Sequence, residues 1–242
     1  DHIRTIKSDY ELACLSEASR RAACGHARAF GAFHSGDHTE LELHLAYLEA
    51  TELVDVQTPY KNIVALGENA AILHHVHYGR RRFGSRSVSL LVDAGATFCG
   101  YAADITRTEV KGTGDGAEEF AHLVAGVDAL QREVCDRIAV GKPYESLHDE
   151  AHELLAKVLL DVGLARGSQD ELVGGGVTRT VLPHGLGHSL GIQVHDVGCR
   201  TRPPHERNPF LRNTSDIEVG QVFTIEPGCY FIPELLAGLR AQ

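Results

Sequence analysis

Two periodicities interleave along this chain, and that alternation limits its fold more than any other feature. Two helical stretches open the sequence, short β-branched runs separated by Gly-containing turns follow, and two longer helical patterns come next. Ser8-Asp9-Tyr10-Glu11 sets a hydroxyl and a carboxylate at the N-cap and third positions, which predicts a long helix carrying Leu12, Leu15, Ala18, Ala22 and Phe30. Thr39-Glu40-Leu41-Glu42 repeats the signal ahead of Leu43, Leu45, Ala46 and Leu48. Strands are predicted at Asn62 to Leu66, Ala71 to His75, Ser87 to Asp93 and Gly100 to Thr108, as an antiparallel meander. Helices are predicted at Ala117 to Ile138 and Glu145 to Val162, then a Gly-rich crossing at Gly174 to Gly176 and strands at Gly191 to Val197 and Gln221 to Ile225. Helices beside antiparallel strands make an α+β domain, and with no internal repeat residues 1–242 read as one domain.

Charge and composition exclude several functions. A formal charge of -10, with one basic cluster at Arg80-Arg81-Arg82, argues against nucleic acid as a partner. No apolar run reaches the roughly 18 residues a membrane span needs, and Asp1-His2-Ile3-Arg4-Thr5 lacks the order of a signal peptide, so no membrane is expected. Six dispersed cysteines without a CxxC pair favour a reducing, cytoplasmic setting. The absence of methionine reads as a fragment, or as a sequence from which methionine positions were dropped.

Three clusters carry chemistry. Leu90-Leu91-Val92-Asp93 followed by Ala103-Asp104-Ile105 reads as a hairpin. A turn centred between Phe98 and Cys99 would set Asp93 opposite Asp104, with Cβ atoms about 4.5–5.5 Å apart. Two carboxylates so close need a shared proton or a cation between them. An isolated Asp on a strand more often faces solvent, but the apolar run before Asp93 weakens that reading. Pro183-His184-Gly185-Leu186-Gly187-His188 and Val194-His195-Asp196-Val197-Gly198 bring three histidines among glycines, where the backbone can approach a ligand closely and imidazole supplies nitrogen or moves protons. Val222-Phe223-Thr224-Ile225-Glu226 ends an apolar strand on an acid, with Val222, Thr224 and Glu226 on one face. Oxygen-rich ligation with one imidazole suits ions such as Mn²⁺ better than zinc thiolate chemistry.

The order Asp-x10-Asp, HGLGH, HDVG and TIEPG resembles the pita-bread metallopeptidases, and within them the Xaa-Pro dipeptidases, or prolidases, of bacteria. The resemblance runs from about residue 3 to the last residue, and implies a fold of curved antiparallel strands flanked by helices. It also implies two divalent metal ions, Mn²⁺ first and Co²⁺ or Zn²⁺ as alternatives, held by Asp93, Asp104, His188 and Glu226. Asp104 would bridge the metals, Glu226 would neighbour the attacking water, and a metal-bridging hydroxide would be the nucleophile. His74 and His195 match the family's non-ligand histidines at the substrate. Arg212 matches an arginine that holds the free carboxylate of a C-terminal proline, while Tyr60, Tyr144 and His184 match pocket positions. The resemblance implies a proline-containing dipeptide substrate, an organophosphate ester side activity and a homodimer. Competing readings are an aminopeptidase P-type exopeptidase and a metal-free binding module. Relatives carry a fifth ligand, a Glu in a Gly-Gly-x-Arg-Ile-Glu-like motif, and the only acid here after Glu226 is Glu234. The catalytic domain is therefore expected to be incomplete at its C-terminus, with the family's smaller N-terminal domain absent.

Overall fold

A computed structural model describes residues 2–82, 84, 89–113 and 115–239. It divides into two compact units, one of Lys7–Ala121 with Leu190–Asp196, the other of Asp1–Ile6, His122–Ser189 and Val197–Gln242. Its mixture of helices and antiparallel strands agrees with the α+β expectation.

In the first unit, helices α2 (Asp9–Ser35) and α3 (Glu40–Thr51) begin at the two capping boxes; Ser8 and Thr39 accept from the main-chain N–H of Glu11 and Glu42, whose carboxylates return the bond. The short helix α1 (His2–Thr5) precedes them in the chain. Ala18, Ala22, Gly25 and Ala29 are small where α2 is buried, and a Cβ on Gly25 would lie 2.6 Å from the Tyr47 ring of α3. Strands β1 (Ile63–Leu66), β2 (Ser89–Ala94) and β5 (Ile105–Val110) form an antiparallel sheet in the order β1-β2-β5. Leu90, Val92 and Ala94 on one face of β2 join Phe33, Leu43, Tyr47 and Val64 in the core. Burial contributes about 1.5–3 kcal/mol for each of the larger apolar side chains. Leu91 and Asp93 take the other face.

The hairpin turn differs from the predicted one. Strands β3 (Thr97–Phe98) and β4 (Tyr101–Ala102) enclose Cys99 and Gly100, with φ of 49° and 82°. Positive φ at both central residues marks a type I′ turn. Its centre lies one residue later than predicted, so Asp93 pairs with Thr106 and not Asp104. The partner moves by two residues, which preserves the face.

Three predicted strands are not strands. Ala71 to His75 continues from a tight turn at Gly67–Ala71, with Ile72 N–H donating to the Asn69 carbonyl and His75 N–H to the Ile72 carbonyl in place of a ladder. Gly191 to Val197 bends where Gly191 N–H donates to the Gln193 carbonyl. Gln221 to Ile225 makes isolated bridges only, Gln221 with Ile6 and Phe223 with Ser189. Its partner segment contains Pro183, Gly185 and Gly187, which interrupt a ladder. Ser87 and Val88, the start of one predicted strand, lie outside the described residues.

The second unit packs α4 (Asp115–Asp136, from His122 onward) and α5 (Tyr144–Asp161) around Leu130, Val134, Leu147, Leu155 and Leu186. Helices α6 (Gln169–Gly174) and α7 (Val177–Val181) flank the Gly-rich crossing, and α8 (Pro233–Leu239) is the last described element. Among the described residues no helix is long and apolar enough to cross a membrane.

Candidate metal centre

In the first unit, the Tyr60 hydroxyl lies 2.8 Å from an Asp93 oxygen and 2.7 Å from an Asp104 oxygen. One hydroxyl so holds two carboxylates together, a concentration of negative charge that a shared proton or a cation would relieve. Burial, then the charges of Asp93 and Asp104, push the Tyr60 pKa well above its ordinary value and keep that proton in place. Gly95 permits the approach, since a Cβ there would lie 2.0 Å from the Ala103 carbonyl oxygen and 2.9 Å from the Tyr60 ring. Tyr47, buried beneath, has no hydrogen-bond partner for its hydroxyl among the described residues; burial and the same two carboxylates raise its pKa. His26 Nε2–H donates to the Ala94 carbonyl oxygen at the end of β2, at 3.2 Å.

His74 and His195 are exposed on loops of this unit. The loop of His195 is fastened next door by a buried Lys7–Asp196 ion pair at 3.1 Å and by Ala102 N–H donating to the Gly191 carbonyl. Gly191 has no room for a side chain, because a Cβ would lie 1.9 Å from an Asp196 carboxylate oxygen.

In the second unit, His188 Nε2 lies 3.2 Å from Glu226 Oε1. His188 Nδ1 is 3.0 Å from the Ser189 carbonyl oxygen, which accepts only and therefore makes Nδ1 the donor. Neutral His188 then turns the Nε2 lone pair toward a carboxylate oxygen, and again a proton or cation must lie between them. The backbone holds the pair rigidly. Thr224 N–H donates to the His188 carbonyl, His188 N–H donates to the Thr224 hydroxyl, and that hydroxyl reaches Glu226 Oε1 at 2.8 Å. The HGLGH glycines serve this packing, since a Cβ on Gly187 would lie 2.3 Å from the Thr224 carbonyl oxygen and one on Gly185 2.9 Å from the Phe210 carbonyl oxygen.

Tyr144 is fully buried and donates to the Thr224 carbonyl at 2.7 Å, so it supports the segment that carries Glu226. His184 is half-buried, packs edge-on against Tyr230, and lines a cavity of about 360 Å³ with His148, His152, Arg179 and Leu182. Arg212 is exposed beside buried Leu211 and Asn213.

The structure thus groups Asp93 with Asp104 and His188 with Glu226. Among the described residues neither unit by itself gathers three or more metal-ligating side chains. The hard oxygen donors and the one imidazole in these pairs suit a divalent cation. Sequence reasoning missed Tyr47 and His26, which have no motif around them, and assigned Tyr60 to substrate where the structure sets its hydroxyl on the carboxylates.

A model of metallopeptidase family M24 matches residues 13–241. Xaa-Pro dipeptidases of Pseudoalteromonas atlantica and Aeromonas hydrophila are 43% and 45% identical, each alignment covering 98% of this chain and 55% and 54% of those proteins. The chain spans about half the length of the curated relatives it matches. Among solved structures, proline aminopeptidase P II from Yersinia pestis is similar with a TM-score of 0.83 at 28% identity, covering 97% of this chain and 51% of that one. A zinc-substituted Escherichia coli aminopeptidase P in complex with product gives 0.78 at 28% identity, over 97% and 52%. These likenesses agree with the pita-bread reading of the fold.

Proposed function

Because this chain belongs to metallopeptidase family M24, we propose that it forms the catalytic part of an Xaa-Pro dipeptidase, hydrolysing the peptide bond that precedes a C-terminal proline. One observation carries the reading furthest. The side chains of Asp93 and Asp104 meet at the Tyr60 hydroxyl and His188 lies against Glu226, so oxygen and imidazole donors of the kind a divalent cation takes stand in two close pairs. In this reading Asp93, Asp104, His188 and Glu226 hold two divalent ions, with Mn²⁺ favoured by the oxygen-rich donors and Co²⁺ or Zn²⁺ as alternatives. Bound metal supplies a water of lowered pKa and polarises the scissile carbonyl.

The remaining steps fall to the chain's own residues. Glu226, oriented by Thr224, accepts the proton of the attacking water. His74 and His195 steady the oxyanion and deliver a proton to the leaving nitrogen. Tyr60 holds the two aspartates in one orientation. Arg212 pairs with the proline carboxylate, while His184 borders the substrate and Tyr144 backs the segment of Glu226. Organophosphate ester hydrolysis as a side activity, a cytoplasmic setting and a homodimer belong to the same proposal, by resemblance.

The similarity of solved aminopeptidase P structures supports a second reading, release of the first residue from longer peptides. Proline release from Ala-Pro and from Ala-Pro-Ala, after chelation and then with Mn²⁺ restored, separates the two. Metal-dependent cleavage of the dipeptide alone is expected. Preferential cleavage of the tripeptide would favour the aminopeptidase, and turnover that persists without metal would overturn both.

A further inference from the structure

We propose that Glu40 is a positioning residue for His74, an inference that rests on His74 acting in the proposed reaction. Glu40 is the first residue of α3, just after the Thr39 cap, where the helix dipole favours a carboxylate. It is fully buried, and both oxygens are saturated. Oε1 accepts from Leu66 N–H at 2.9 Å and Asn69 Nδ2 at 2.8 Å; Oε2 lies 2.9 Å from His75 Nε2 and accepts from Gly79 N–H at 2.7 Å.

All four partners come from one stretch, Leu66 to Gly79, and His74 sits inside it. Among the described residues no strand pairing fixes that stretch beyond Leu66. Apolar packing does not fix it at the histidine either, because Ile72 and Leu73 just before His74 are 53% and 37% exposed. The buried carboxylate ties both flanks of the loop to α3, and the C-terminal flank is held also by Leu41 N–H donating to the Gly79 carbonyl and by Tyr78 stacked on His44. Gly79 is part of the device, since a Cβ there would lie 2.9 Å from Oε2. Four hydrogen bonds offset the cost of burying the charge, and removing one acceptor leaves a buried donor unmatched.

Glu40→Gln tests this with little change of size. Whichever way the amide is turned, its NH₂ opposes either Leu66 N–H or Gly79 N–H, so the loop loses at least one tether. Hydrolysis of Ala-Pro would be measured for Glu40→Gln, His74→Ala and the double variant of the metal-loaded protein. A displaced catalytic group costs on the order of 100-fold in kcat/KM. If Glu40 acts through His74, the double variant is no slower than His74→Ala alone. Losses that multiply would overturn the proposal, because independent sites add in free energy.

The His74 ring signal in a ¹H–¹³C spectrum, assigned by its loss in His74→Ala, gives a readout that needs no turnover. It is expected to shift toward the unfolded position in Glu40→Gln while the His195 signal stays. An unmoved His74 signal sinks the positioning role even if Ala-Pro is cleaved. A moved signal without any Ala-Pro cleavage by the unaltered protein retires the peptidase reading, and with it the catalytic sense of the positioning, while leaving the tether. Should Glu40→Gln fail to fold, Asn69→Ala removes one donor, keeps the carboxylate, and carries the same comparison.

Discussion

Tyr60 has one proton and two carboxylates to satisfy with it. Without metal, its loss leaves Asp93 and Asp104 facing each other with less screening, and a hydrogen bond to a charged group is worth about 1.5–3 kcal/mol. Tyr60→Phe is therefore expected to lower the urea unfolding free energy of the metal-free protein by about 2 kcal/mol. The deficit should shrink when Mn²⁺ is added, because a cation neutralises the same oxygens. An equal deficit with and without Mn²⁺ would show that the hydroxyl matters for packing and not for the charges. Arg212 poses the opposite case, a charged side chain on the surface with a proposed partner only in the substrate. If it clamps the proline carboxylate, Arg212→Ala raises KM for Ala-Pro far more than for a proline amide, and equal effects on the two count against the clamp.

Among the elements, the helices were legible because their signals are local. A capping box fixes an N-terminus within a few residues, and both boxes start α2 and α3 where the sequence sets them. The strand predictions held where β-branched runs pair within the chain, at β1, β2 and β5, and failed at residues 71–75, where main-chain turn bonds from Ile72 to Asn69 and from His75 to Ile72 replace a ladder. The metal-ligand candidates were legible as motifs, whereas their pairing register was not. A type I′ turn is signalled most strongly by Asn-Gly, and here the first central position is Cys99, which hides the turn. Cys99 is held at a φ of 49°, unfavourable for its side chain. Cys99→Asn is expected to raise stability by about 0.5–1 kcal/mol, read as a higher urea midpoint with an unchanged m-value. A lower midpoint would mean that the thiol contributes more than the turn conformation costs.

At the scale of the molecule, buried imidazoles should make this protein sensitive to mild acid. His148 and His152 meet edge-on on one face of α5, buried, and burial pushes their pKa values down to about 4 and about 3. Arg179 and His184 lower them further, while Asp149 and Glu145 pull His148 the other way. In the unfolded chain both titrate near 6.5. Below that pH the unfolded state binds protons that the folded state refuses, so stability falls as pH drops through about 6.5 and the loss levels off only near the folded values. His26 in the first unit, pushed down to about 4 by burial, behaves alike, and three such groups give a slope of up to about 4 kcal/mol per pH unit. Glu150 adds to the loss later. Burial opposes its ionisation, but hydrogen bonds from Lys142 and Arg137 win and hold its pKa below the usual range, so its stabilisation disappears only below about pH 4.5. Urea midpoints measured from pH 7 to pH 4.5 are therefore expected to fall throughout that interval, before most carboxylates titrate. Substituting Gln at His148 and His152 should make this part of the curve shallower, with the contribution of His26 remaining. If the unaltered protein is already flat there, the two imidazoles accept protons in the folded state, and the cavity they line must admit enough water to solvate the charge.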